Sequence, residues 1–164
     1  MNALPMIRIL LVDDHFWVRK GLATSLAEEP DLTVVAEACS GEEALRLFAQ
    51  VSPDVTLMDV MMEELDGFAT LEQLRNVAPA ARVLMLSADE SEENVFRAMA
   101  GGASGYLSKS AGRPELLHAI RTVHAGGLYL PEELARRVAY RTARHRPRSP
   151  RTHDPQLPGH RTQQ

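Results

Sequence analysis

A chain of 164 residues with 45% hydrophobic side chains has room for one domain of ordinary size with a real core, plus a tail. A single cysteine, Cys39, excludes an internal disulfide framework and any cysteine-based zinc centre, and no apolar run is long enough for a signal peptide or a membrane span, so a soluble cytoplasmic protein is expected. The formal charge of −4 is uneven: residues 141–164 hold six Arg and one Asp, hence +5, which leaves −9 on residues 1–140.

In chain order, Ile7, Ile9, Leu10, Leu11 and Val12 predict a strand over 7–12 that runs directly into Asp13 and Asp14. Val18, Leu22 and Leu26 recur at helical spacing and predict a first helix that stops before Pro30. A second strand is expected over 33–36. Ser40 with Glu43 three residues on forms a capping box for a second helix that buries Ala44, Leu47 and Phe48. A third strand over 55–58 leads to Asp59, and a third helix after Asp66-Gly67 carries Phe68, Leu71 and Leu74. The fourth strand, 83–86, leads to Ser87; the fourth helix carries Val95 and Met99 and ends at Gly101-Gly102. A weaker fifth strand over 105–107 leads to Lys109, and a fifth helix opens at Pro114 and ends at Gly126-Gly127. Five βα units of this kind predict a doubly wound parallel sheet with helices on both faces. The expected organisation is one domain over 1–130, a short helix over 131–140 and a disordered basic tail over 141–164, whose only large aliphatic residue is Leu157.

In a parallel α/β sheet, ligands bind outside the carboxyl ends of the strands, so Asp13, Asp14, Asp59, Ser87 and Lys109 are expected in one crevice. Carboxylates that close repel one another: two like charges about 4 Å apart cost roughly 4 kcal/mol at an effective dielectric of about 20. The cluster therefore reads as a Mg²⁺ site with an ammonium opposite, the chemistry of a phosphorylatable aspartate. Singly, each residue has a plainer reading. Asp14 could cap the first helix, Lys109 could be a solvated loop residue, Ser87 a turn residue, Tyr106 packing, and Cys39 a small apolar residue at a strand end. His15 has no Cys or His partner nearby in sequence and is expected to face solvent in the first helical turn.

The segments LLVDDH, LMDVMMEELDG, VLMLSA and GASGYLSKS, in that order, resemble the receiver domain of bacterial two-component response regulators. Residues 97–137 are similar, more narrowly, to the NarL/FixJ-type branch, and the resemblance covers roughly residues 6–138. It implies a flavodoxin-like sheet of order 2-1-3-4-5 with five helices, and a protein that catalyses only its own phosphorylation and dephosphorylation. It implies Asp59 as the phosphoryl acceptor from a histidine kinase, with Mg²⁺ held by Asp14 directly, by Asp13 mainly through water, and by the backbone carbonyl of Met61. Lys109 would pair with Asp59 and then with the phosphoryl oxygens, Ser87 would donate its hydroxyl, Ala88 would leave room, and Tyr106 would turn inward when Ser87 moves. Homodimers, or heterodimers with related regulators, are further implied partners.

The sequence departs from that pattern in places. Glu63 and Glu64 stand where Pro and often Gly are common, Phe16 and Trp17 follow the acidic pair, and Ser110 replaces a Pro, so no cis peptide is expected there. Relatives in this branch carry a helix-turn-helix domain of which the last 24 residues here show no sign, so no sequence-specific DNA binding is expected. A haloacid dehalogenase-type phosphatase needs a second Asp where Met61 stands, and Asp13-Asp14 would repel the phosphate of a flavodoxin-type cofactor. The remaining alternative is a phosphorylation-independent interaction module.

Overall fold

Residues two apart in a strand share a face, and this alternation fixes the architecture of the computed structural model, which describes residues 5–144. In β1 (Ile7–Val12), Ile9 and Leu11 enter one core while Leu10 and Val12 enter the other. In β3 (Val55–Asp59), β4 (Val83–Ser87) and β5 (Gly105–Ser108) the same division holds, with Met58, Met85 and Tyr106 on one side and Leu57, Leu84, Leu86 and Leu107 on the other. With β2 (Leu32–Ala38) they form a five-stranded parallel sheet of order β2-β1-β3-β4-β5. Strands apolar on both faces must be covered on both, as parallel sheets require.

Helices α1 (Phe16–Ala27) and α5 (Arg113–His124) cover one face through Leu26, Leu116, Leu117, Ile120 and Val123. Helices α2 (Gly41–Val51), α3 (Gly67–Val77) and α4 (Glu92–Ala100) cover the other through Ala44, Leu71, Leu74, Val95 and Ala98. Three of these helices begin on a side-chain cap: Ser40, Asp66 and Ser91 each accept the amide of the residue three positions on. Gly67 has a second reason to be glycine, because a Cβ there would sit 2.2 Å from the carbonyl oxygen of Asp59.

A sixth helix, α6 (Glu132–Arg144), extends the expected helix beyond Tyr140 and so corrects the tail expectation for 141–144. Ion pairs Glu132–Arg136 and Glu133–Arg137 support its first turns, and the Arg141 guanidinium lies 4.5 Å over the Phe96 ring of α4. Leu134 is buried in the α2/α3/α4-side core with Leu130 and Val138 beside it, so α6 is packed onto the domain. The disorder expected for 145–164 lies outside the described residues. Every described peptide bond is trans, as the Ser110 substitution led one to expect.

Candidate functional site

Four neighbouring strands deliver the site from their carboxyl ends. Asp13 and Asp14 follow β1, Asp59 closes β3, Ser87 closes β4, and Lys109 follows β5. The ladder fixes their level: Val60 donates its amide to the Leu86 carbonyl at 2.9 Å, and Lys109 donates its own to the Ser87 carbonyl at 2.8 Å. Lys109 Nζ then reaches across to Asp13 Oδ2 at 2.9 Å and Asp59 Oδ2 at 3.1 Å. Asp13 and Asp59 are 2% and 1% exposed. Asp59 Oδ1 accepts the Met61 amide at 3.1 Å, which places Met61 at the rim with its side chain exposed.

Burial pushes the Asp59 carboxyl above the ordinary carboxylate range, and the Asp13 charge adds to this; Lys109 opposes both without reversing them. Burial alone would lower the Lys109 ammonium, but its hydrogen bond to Asp13 and its ion pairing with Asp13 and Asp59 hold it above the usual lysine value. The pocket thus carries more negative charge than one ammonium neutralises. Asp14 Oδ1 and Asp59 Oδ2 are buried oxygens that accept no hydrogen bond. Oxygen donors with spare lone pairs beside a charge deficit fit a hard divalent cation. Asp13, Asp14 and Asp59 lie close enough to share one.

A model of the response regulator receiver domain matches residues 9–121. The chain belongs to the receiver-domain family. Over 137 residues this receiver is 39% identical to the response regulator GacA of Pseudomonas viridiflava, covering 84% of the present chain and 64% of GacA. It is 38% identical over 126 residues to the nitrate/nitrite response regulator NarL of Escherichia coli, covering 77% and 58% respectively. A LuxR-family two-component response regulator from Aurantimonas has the same fold, with a TM-score of 0.79 and 33% identity over 84% of this chain and 99% of that one. The chain therefore spans under two thirds of the length of these curated relatives. Receiver domains are signalling modules of two-component systems that bind Mg²⁺ in an acidic pocket. No described helix of this receiver is long and apolar enough to cross a membrane.

Three features of the receiver pocket differ from the expectations above or were absent from them. Asp14 does not cap α1: the N-cap residue is His15, and Asp14 Oδ2 instead accepts the Glu63 amide at 3.1 Å, which ties the β3–α3 loop to the acidic pair. His15 is 62% exposed, yet its Nδ1 does not face away from the pocket; it lies 3.0 Å from both Asp13 Oδ1 and Asp14 Oδ1. The turn that does this closes on Asp13, whose Oδ1 also accepts the His15 amide at 2.8 Å, the Asx geometry Asp favours. Glu64 sits at φ 56, a left-handed conformation that costs a non-glycine residue on the order of 1 kcal/mol.

Ser87 and Tyr106 are both fully buried and meet through Asp89. The Ser87 hydroxyl accepts the Asp89 amide at 2.9 Å, and the Tyr106 hydroxyl donates to the Asp89 carbonyl. The tyrosine ring is therefore turned inward, under the β4–α4 loop.

Proposed function

We propose that this chain accepts a phosphoryl group on Asp59 from a histidine kinase and transmits the change to the face formed by α4, β5 and α5. The observation that carries the proposal is Asp59 Oδ2: a buried carboxylate oxygen that accepts no hydrogen bond and is flanked by Lys109 at 3.1 Å. In the transfer, that oxygen forms a bond to phosphorus as the phosphorus–nitrogen bond of the donor phosphohistidine breaks, and the departing imidazole takes up a proton from solvent. Lys109 neutralises charge on the phosphoryl oxygens, and the Ser87 hydroxyl turns from Asp89 to donate to one of them. Asp14, Asp13 and the Met61 carbonyl would hold Mg²⁺, which supplies further positive charge to those oxygens when bound. Residues 1–130 form the receiving unit in this proposal, with homodimers or heterodimers of related regulators as its output.

Intact-mass spectrometry after acetyl phosphate treatment tests this. One phosphoryl mass is expected with Mg²⁺ and none without it; Asp14→Ala should nearly abolish the gain and Asp59→Asn should remove it. A phosphoryl mass retained by Asp59→Asn overturns the assignment.

A further inference from the structure

The proposed phosphoryl chemistry leaves the His15 ring without a task, although it sits over the acidic residues. Its Nδ1 lies 3.0 Å from Asp13 Oδ1, 3.0 Å from Asp14 Oδ1 and 3.7 Å from Asp59 Oδ2. One ligand atom from each of the four residues falls within 4.8 Å of all the others. Donors about 2.1 Å from a shared cation stand about 3.0 Å apart when octahedral neighbours and about 3.4 Å apart when tetrahedral ones. The separations from Nδ1 bracket those values. Two of the oxygens it faces, Asp14 Oδ1 and Asp59 Oδ2, accept no hydrogen bond, and Asp59 is 1% exposed.

We infer that His15 Nδ1 is a cation ligand, and that with Asp13, Asp14 and Asp59 it makes the pocket a site for Zn²⁺ as well as Mg²⁺; this rests on the metal pocket proposed above. Mg²⁺ takes oxygen donors, keeps several waters and gains little from an imidazole. Zn²⁺ accepts nitrogen and carboxylate oxygen together and is satisfied by four protein ligands. The same nitrogen serves in both states: beside carboxylates alone it donates its proton, and beside a cation it presents its lone pair. Little packing holds a ring that is 62% exposed, so His15 can leave when only oxygen donors are needed. A Zn²⁺ ion held by all four residues has no open position for a phosphoryl oxygen. Zn²⁺ therefore antagonises modification of Asp59.

Isothermal titration of the full chain with MgCl₂ and with ZnCl₂, for wild type, His15→Ala, Asp14→Asn and the double variant, tests the assignment. Wild type should bind Zn²⁺ at least ~10-fold more tightly than Mg²⁺, and His15→Ala should lose at least ~10-fold for Zn²⁺ while Mg²⁺ stays within ~3-fold. In the Asp14→Asn background the further His15→Ala change should cost less than ~3-fold, because ligands of one ion do not act independently. Zn²⁺ should also suppress the Mg²⁺-dependent phosphoryl mass gain in wild type at concentrations that leave His15→Ala unaffected. Zn²⁺ affinity unchanged by His15→Ala, or lost equally for both ions, overturns the role of His15 while the Mg²⁺ pocket stands. Mg²⁺ binding that is absent in wild type or indifferent to Asp14→Asn overturns both.

Discussion

As the proposed nucleophile, Asp59 stands under two opposed demands, since a nucleophilic carboxylate must be ionised and a buried one resists ionisation. Its folded-state pKa is raised, chiefly by burial and then by Asp13. The folded protein therefore holds this proton more tightly than the unfolded chain, and stability falls as pH rises from the ordinary value of 3.8 through the raised one. At pH 7 the charge destabilises the metal-free fold, and Asp59→Asn removes it while keeping the shape. A gain of about 1 kcal/mol moves the midpoint of a domain of this size by roughly 4 °C. Calorimetry without divalent ions should show Asp59→Asn melting higher than wild type at pH 7, with the difference closing toward pH 4; a lower melting point at pH 7 refutes the electrostatic account. Sequence was enough to place Asp13, Asp14, Asp59 and Lys109 together, because strand ends and period-two alternation leave them few other places to go. It was not enough for His15, whose direction depends on how tightly the Asp13 side chain closes its turn, or for the strained Glu64, since glutamate gives no local signal of a positive φ.

At the scale of elements, hydrophobic runs located all five strands but stopped short at several carboxyl ends. The ladder continues through Asp59, Ser87 and Ser108 because their backbones are hydrogen-bonded to the next strand whatever their side chains are. Helix α6 was expected to end at Tyr140; the ring of Phe96 on α4 gives Arg141 a place to lie, a tertiary contact no local pattern reports. Its anchoring residue is Leu134, 5% exposed against the α4 side of the core. Leu134→Ala removes buried methyl groups at a site walled on one side by the last described helix, so the cavity is partly relieved by α6 lifting. The cost should be about 2 kcal/mol, at the low end for such truncations. Hydrogen exchange should show faster exchange over 132–144 with β1 and β3 unchanged. Uniform loss of protection would mean that α6 is integral to the core rather than docked on it.

For the molecule as a whole, the sheet order was implied by the family resemblance and is the observed one, and it puts the proposed acceptor and the covering helix at opposite ends of a short chain of contacts, the proposed relay. Asp59 on β3 lies beside β4, which ends in Ser87; Ser87 and Tyr106 both bind Asp89, and the loop holding Asp89 leads into α4, on which α6 packs. A ligand moves such a relay only through contacts that differ between its two states. The Ser87 hydroxyl supplies one: it is engaged with the Asp89 amide here and would exchange that bond for a charge-assisted one to a phosphoryl oxygen. Beryllofluoride with Mg²⁺, added to labelled wild-type protein, should shift amide resonances around Asp59 and Lys109 and also across α4 and α6. In Ser87→Ala the pocket resonances should still move, because Asp59 and Lys109 are intact, while those of α4 and α6 should stay near their starting positions. Equal α4 and α6 responses in the two proteins would show that the change reaches α4 by a route other than Ser87, and the inward Tyr106 would then be packing alone.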